Sequence, residues 1–224
     1  AYAAAIAQLL KQAGHSVFVL TLPDSLNSKH LSERGLRILT HINLNSKNPF
    51  QLLLAYRKLK KFLLEEEIDL INPHRSEGFP LFVFAARSLS TNRIENPIPV
   101  IRTRGTTRPL LQHWLNRKMH IDWTTNYITA GEIVEERLLN AVPISPEKLK
   151  TIYYSVECSD LPLKPPGDYR TEFEIPQKAK VLAVVGRIRP VKGQRILLQS
   201  LSQLLTEFPD LVLLIPYRDT DNNE

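Results

Sequence analysis

The stretch KVLAVVGRIRPVKGQRILLQSLSQLLTEFP, residues 180–209, decides the fold of this chain. An unbroken apolar run at 181–185 ends at Gly186, and a basic, proline-containing turn follows. Beyond the turn, leucine and isoleucine recur at helical spacing up to Leu205. The pattern predicts a buried strand, a tight loop and a helix.

The loop between that strand and helix has the features of an anion site. Gly186 lets a backbone come close to a ligand, Arg187 and Lys192 supply cations, and Gly193 leaves the N-terminus of the helix open. Such a loop suits a diphosphate, although an ordinary connection on a basic protein would explain the same spacing. It matches neither the Walker A sequence nor G-x-G-x-x-G.

The remainder of the chain alternates between strand and helix patterns, which predicts an α/β, doubly wound parallel sheet. The predicted strands cover 16–20, 36–39, 68–72, 98–103, 124–129, 149–154 and 211–215. The predicted helices cover residues up to 12, then 49–66, 79–89, 110–120 and a segment ending near 140. For this last helix, Thr129 and Glu132 have the spacing of a capping box.

A polar segment follows the predicted strand 68–72. It contains His74, Arg75 and Glu77, at the carboxyl end of a parallel strand, where ligands collect in open α/β sheets. His74 is therefore a site candidate, and a loop histidine that holds its own turn is the competing interpretation.

A second polar segment follows the strand 98–103. Arg102, Arg104 and Arg108 cluster there around Gly105. Arginine forks bind phosphate and carboxylate groups bidentately, whereas a solvated, salt-bridged loop is the alternative.

Composition narrows the class of partner. The 224 residues carry a net charge of +6, which suggests nucleic acid, a membrane surface or a phosphorylated small molecule. The single cysteine, Cys158, excludes an internal disulfide and fits a reducing cytoplasm. The predicted helix 49–66 has an apolar stripe of Leu52, Tyr56, Leu59 and Leu63 and a cluster of four cations, which suits either anionic lipid or plain solvent.

Four prolines and a glycine between 161 and 177 mark a linker. The predicted organisation is therefore a first domain at 1–158, a linker at 159–178 and a second domain at 179–224.

The segment GRIRPVKG at 186–193 resembles the G-R-x-x-x-x-K-G motif of the retaining glycosyltransferases of family 4, also called glycosyl transferases group 1. Residues 7–17 resemble the family phrase A-x-x-L-x-x-x-G-H-x-V, and 100–104 resemble the V-x-R-T-R of its lipopolysaccharide-type members. Residues 146–157 resemble its hinge, except that Tyr154, Ser155 and Glu157 stand where Asn, Gly and Asp are usual.

The resemblance implies a fold of the GT-B type with two Rossmann-like domains, the first nearly complete and the second truncated. It implies a fragment without the first strand and most of the C-terminal donor domain. The whole enzyme would move a sugar from a nucleotide-diphosphate donor to a lipid-linked or polysaccharide acceptor with retention, and this chain alone is expected to be weak or inactive.

The resemblance also suggests roles for individual residues. His74 is the catalytic candidate. The donor diphosphate would lie on Gly186, Arg187, Lys192 and Gly193. The acceptor would lie on Arg75, Glu77, Arg102, Arg104 and Arg108. The nucleotide sugar is a co-substrate, and we expect neither a metal nor another cofactor, because no metal-ligand spacing occurs.

The expected location is the cytoplasm, with a peripheral contact on the inner face of the membrane. The rival hypothesis is a non-catalytic basic module that binds nucleic acid or anionic membrane. Nucleic acid is not the expected partner, since the chain lacks an aromatic stacking ladder and a helix-turn-helix pattern. A sugar-nucleotide epimerase of the same two-domain plan is a closer rival, but its catalytic carboxylates cannot be placed.

Overall fold

The computed structural model describes residues 2–21, 26–90, 98–154, 169–186 and 188–216. The chain divides into two units, Ala1–Val156 and Glu157–Glu224. The division lies two residues before the boundary at 158 that the sequence predicts. Each unit contains parallel strands and helices, so the predicted α/β class is confirmed.

The first unit alternates helices with short strands. Its helices are α1 (Tyr2–Gln12), α2 (Leu26–Glu33), α3 (Pro49–Glu65), α4 (Phe79–Ser90), α5 (Trp114–Ile121) and α6 (Glu132–Ala141). Its strands are β1 (Phe18–Leu20), β2 (Arg37–Leu39), β3 (Ile101–Arg104), β4 (Asn126–Thr129) and β5 (Leu149–Thr151). All pairings are parallel, with β1 beside β2 and the order β3-β4-β5.

The predicted strand 68–72 is present as an irregular extension of this sheet. Ile71 forms an isolated parallel bridge with Val100. The backbone N–H of Thr103 donates to the carbonyl of Pro73 at 3.1 Å, so the segment continues along β3. Pro73 has no N–H to donate, which limits the regular ladder at this point.

The main core of the first unit lies around α3 and α4. It includes Leu59 and Leu63 of α3 and Val83 and Leu89 of α4, together with Val100 beside the strands. Helical spacing puts these α3 residues on one face, as the sequence predicts. The apolar stripe of α3 therefore faces the protein core.

Two predicted helix starts are wrong. The helix expected at 110–120 begins at Trp114, because His113 caps it and accepts the N–H of Asn116 through Nδ1. The capping box does not form, because Thr129 lies inside β4 with its hydroxyl 2.6 Å from that of Thr151. Gly131 precedes α6 instead. Helix α2 was not predicted.

The second unit contains α7 (Tyr169–Glu172), β6 (Val181–Ala183), α8 (Gln194–Glu207) and β7 (Val212–Leu214). Strands β6 and β7 pair in parallel, and α8 connects them, as the sequence predicts. Apolar side chains on both β6 and α8 are exposed, including Val181 and Ile196.

The segment predicted as a linker, 159–178, contains a short helix in its described part. Residues 155–168 lie outside the described part of the chain. From 169 onward, α7 forms, Ile175 is buried, and the guanidinium of Arg170 donates to the carbonyls of Pro176 and Ala179. Arg170 thus satisfies backbone carbonyls in the segment that its composition predicted to be a linker.

Asn48 provides the first testable feature of the fold. Its Oδ1 accepts the N–H of Phe50 at 2.9 Å and caps the start of α3. Asn48→Ala should lower the free energy of unfolding by about 1 kcal/mol, measured by urea denaturation. Ser145→Ala is the matched control, because Ser145 precedes a 3-10 turn without capping it, and it should change stability by less than about 0.5 kcal/mol. Equal losses in both variants would contradict the capping role.

A buried aromatic column supplies a pH-dependent test. The ring of His120 stacks on Phe79, with centroids 4.8 Å apart. Its Nδ1 lies 2.8 Å from the hydroxyl of Tyr127, which donates to the His120 carbonyl. The Tyr127 hydroxyl has a single proton, which it donates to the carbonyl. In the hydrogen bond between Nδ1 and this hydroxyl, the imidazole must therefore be the donor. Burial, with Arg102 and Arg104 nearby, lowers the pKa of His120 to about 3.

Because the folded pKa of His120 is below the unfolded value, the unfolded state binds the extra proton between about pH 6.5 and pH 3. The stabilisation is fully present above pH 6.5 and is lost as the pH falls, by at most about 1.4 kcal/mol per pH unit. His120→Gln should therefore flatten the decline in unfolding free energy between pH 7 and 4.5. The control is Gln12→Ala, which changes an exposed, uncharged side chain and should keep the wild-type slope. An unchanged slope in His120→Gln would contradict the assignment.

Candidate functional site

The candidate site of the first unit lies at the carboxyl ends of β3 and of the segment 71–73 beside it. The two run in parallel, so the chain leaves both at the same edge of the sheet. The structure therefore brings the 74–77 segment next to the 102–108 segment. The sequence predicts that each segment follows the end of a strand. The structure adds that the two strands are neighbours, so the two segments lie side by side.

Arg102 joins the two segments from inside the protein. Only 2% of it is exposed, and its Nη1 donates to the carbonyls of Pro73, at 3.3 Å, and Arg75. Its Nη2 donates to the hydroxyl of Ser76 at 3.3 Å. The guanidinium also lies over the ring of Phe79, 4.6 Å from the centroid. Arg102 thus fixes the turn that carries His74.

Arg104 has a similar role in the following loop. It is buried, and its Nη2 donates to the carbonyl of Arg108 at 2.9 Å. Burial lowers the pKa of Arg104, and burial together with Arg104 lowers the pKa of Arg102 to about 10. Both remain cationic at neutral pH. Within the described residues, neither forms an ion pair with a carboxylate, and the Nε of each has no hydrogen-bond partner.

The three arginines predicted to bind the acceptor differ in exposure. Arg108 is exposed, whereas Arg102 and Arg104 are buried with donors on main-chain carbonyls. The reason is that the turns after residues 71–73 and after β3 present backbone carbonyls, among them those of Arg75 and Arg108, and guanidinium groups satisfy them. The acceptor-binding role stays a prediction, with Arg108 as the exposed member of the set.

His74 is half-buried at this edge. Burial, and then the charge of Arg102, lower its pKa to about 4, so the imidazole is neutral near pH 7. In that state it offers one hydrogen-bond donor and one acceptor. Beside it, Arg75 and Glu77 form an exposed ion pair of 3.3 Å, and the hydrogen bond from Arg75 lowers the pKa of Glu77. Their charges therefore partly cancel at the surface.

Sequence reasoning missed the tyrosines of this edge. Tyr2 packs edge-on against Tyr154 at 4.4 Å between centroids and against His74 at 6.1 Å. The Tyr154 hydroxyl lies where a side chain at Gly105 would be, so this position accommodates only glycine without a shift. The signal was available, because Tyr154 replaces the asparagine of the family hinge, but the sequence does not show what it contacts.

The candidate site of the second unit is the loop between β6 and α8. Residues 190–192 form a 3-10 turn, and Gly193 follows in the left-handed region with φ 74°. The carbon stem of Lys192 passes over Gly186, 3.7 Å from where a Cβ would lie. Three of the four predicted donor residues are thus brought together, while Arg187 lies outside the described residues.

The start of α8 is open in the way the sequence predicts. Gly193 precedes the helix and offers no side chain to cap it. The N-terminus of a 14-residue helix, which no side chain of Gly193 caps, and the ammonium of Lys192 make this loop a candidate anion site. Position and charge both suit a phosphate group.

Among the residues that the structure describes, no group of three His, Cys, Asp or Glu side chains is arranged to hold a metal ion. In the same part of the chain, none of the helices is both long and apolar enough to cross a bilayer.

Arg102 supports a direct test of the first site. Arg102→Met keeps the length of the side chain but removes three hydrogen bonds to the 73–76 turn, and we expect a loss of about 2–4 kcal/mol in unfolding free energy. The matched control is Arg108→Met, whose side chain is exposed and whose effect should stay within about 0.5 kcal/mol. Urea denaturation measures both. Equal stabilities would mean that Arg102 does not hold the turn.

Comparison with known proteins places these features in a family. The model of Glycosyltransferase Family 4 matches residues 1–160. YtcC of Bacillus subtilis (strain 168) is 28% identical over 102 residues, a match that covers 42% of this chain and 25% of YtcC. The chain thus spans about a quarter of that curated relative.

Solved structures show the same fold. A glycosyltransferase from Rickettsia africae ESF-5 superposes with a TM-score of 0.73 at 17% identity, covering 96% of this chain and 63% of its own. Anabaena Alr3699/HepE, solved in complex with UDP and glucose, superposes with a TM-score of 0.65 at 16% identity, covering 94% and 55%. The α/β, Rossmann-like architecture of the GT-B type is thereby confirmed. Because the family model covers well over half of its length, this chain belongs to Glycosyltransferase Family 4.

Proposed function

We propose that the protein transfers a sugar, with retention, from a nucleotide-diphosphate donor to a lipid-linked or polysaccharide acceptor. The observation that carries the proposal is the loop from Gly186 to Gly193, where a lysine and an uncapped helix N-terminus follow a parallel strand. Membership in Glycosyltransferase Family 4 supports it. So does the structural likeness to HepE, which was solved in complex with UDP and glucose.

The donor half of the proposal rests on charge. Departure of the sugar leaves negative charge on the nucleotide diphosphate. The ammonium of Lys192 and the N-terminal end of α8 would stabilise that charge, and Arg187 would add a second cation by its place in the motif. No metal is assigned to this step, because fixed cations and a helix terminus supply the compensation. This absence of a metal requirement stays a prediction.

The acceptor half rests on the edge that contains His74. A neutral imidazole nitrogen can accept a hydrogen bond from a hydroxyl group of the acceptor substrate. This hydrogen bond would orient the hydroxyl oxygen toward the reacting carbon of the donor sugar. Arg75, Glu77 and Arg108 lie in the adjoining loops as the exposed polar groups of the edge. The buried cations Arg102 and Arg104 add positive potential there, which favours a phosphorylated or otherwise anionic acceptor. Retention is proposed from the family motif, and we assign no enzyme nucleophile.

The proposal includes a location. A lipid-linked acceptor is best reached from the cytoplasm, by a protein that contacts the inner face of the membrane peripherally.

The rival function, a basic module for nucleic acid, has no specific support. Arg102 and Arg104 are buried with donors on carbonyls, and Arg75 is paired with Glu77, so these cations are not open to a phosphate backbone.

Titration calorimetry with UDP, GDP and ADP tests the donor loop. We expect one nucleotide to bind and Lys192→Ala and Arg187→Ala each to weaken it by about tenfold, the effect of losing one charge-assisted hydrogen bond. Lys178→Ala is the control, since it removes an exposed cation of the same unit outside the loop, and it should bind as the wild type does. Equal weakening by Lys178→Ala, or no binding of any nucleotide, would contradict the assignment of the loop in this chain.

A further inference from the structure

The outer face of α3 is unusual for a helix side that points to solvent. The apolar stripe that made this helix amphipathic in sequence is turned inward, with Leu59 and Leu63 buried. The opposite side would be polar if water were its only neighbour. Instead Phe50 is 76% exposed and Leu54 is 56% exposed, and Leu53 and Leu64 are exposed with them.

Cations are interleaved with these apolar side chains. At about 100° per residue, Arg57, Lys58 and Lys61 fall on the same side of the helix as Phe50 and Leu54. All three are exposed. Glu65 is the acidic member of the helix, and it pairs with Lys61 at 3.6 Å in a contact open to solvent. The outer face thus presents bulky apolar groups and net positive charge together.

An apolar groove opens beside this face, between α3 and α4. Its volume is about 360 Å³, and Leu53 belongs both to the groove and to the outer face. The residues that line it are Leu52, Leu53, Tyr56, Leu81 and Phe84. A groove with aliphatic and aromatic walls and an open mouth suits a hydrocarbon chain.

Helix α8 is a useful comparison within the molecule. It also exposes apolar side chains, among them Ile196 and Leu198. Its 14 residues include a single cation, Arg195. Exposed apolar surface alone therefore does not distinguish α3, whereas its combination with three cations does.

We propose that the outer face of α3 and the adjoining groove dock on an anionic lipid bilayer. Phe50, Leu53 and Leu54 would enter the boundary between headgroups and acyl chains, while Arg57, Lys58 and Lys61 reach the lipid phosphates. The groove receives an acyl chain. Nucleic acid fits this face less well, because its backbone offers nothing apolar to cover a phenylalanine and three leucines.

Cosedimentation of the full chain with vesicles tests the proposal without any nucleotide, so its outcome is independent of sugar transfer. We expect binding to phosphatidylcholine vesicles that contain phosphatidylglycerol, little binding to phosphatidylcholine alone, and weakening at high salt. Replacing Arg57, Lys58 and Lys61 by glutamine should weaken binding about fivefold for each cation removed. Phe50→Ser with Leu54→Ser should weaken it about tenfold.

Ile196→Ser with Leu198→Ser, on α8, is the matched control and should leave vesicle binding unchanged. Phe50→Trp provides a second readout that needs no disruptive change, and its fluorescence should shift to the blue on anionic vesicles and be quenched by brominated acyl chains. Absence of vesicle binding, or an unquenched tryptophan at position 50, would overturn the proposal. So would competition by double-stranded DNA that depends on the three cations and not on Phe50.

Discussion

The first unit depends on one buried cation. Arg102 takes the carbonyls of Pro73 and Arg75 as hydrogen-bond acceptors and lies against the face of Phe79. An isolated guanidinium inside a protein is costly, and here backbone dipoles and an aromatic quadrupole offset that cost in place of a carboxylate. The arrangement ties the turn that holds His74 to the end of β3. Phe79 in turn stacks on His120, whose imidazole bonds Tyr127 of β4.

The contacts of Arg102 with Phe79, and of Phe79 with His120, connect the polar edge directly to the buried core. The side chains that resemble ligand-binding groups in the sequence are also the ones that satisfy the backbone of irregular turns. An arginine at the end of a parallel strand has two possible partners, the ligand and the loop, and burial decides between them. Arg102 and Arg104 are buried and donate hydrogen bonds to backbone carbonyls, whereas Arg108 is exposed.

Much of the architecture was predictable from the sequence because it depends on local periodicity. Apart from α2 and α7, the order of strands and helices follows from apolar runs and from glycine and proline positions, and so do the parallel pairing and the loop before α8. The differences have specific causes. His113 caps α5 through an imidazole nitrogen, and Thr129 uses its hydroxyl across the sheet to Thr151. Within the predicted linker, Arg170 orders the segment after 169 by donating to its carbonyls. Each is a side-chain contact whose partner is not set by sequence spacing. The burial of Arg102 and the aromatic contacts of Tyr154 belong to the same class.

The half-buried position of His74 has a consequence for how the protein responds to its surroundings. A histidine in water changes charge close to physiological pH and often serves as a switch. With a pKa of about 4, this imidazole keeps one protonation state through the range in which a cell's interior varies. His74 therefore takes up no proton at this edge when the pH falls modestly below neutral.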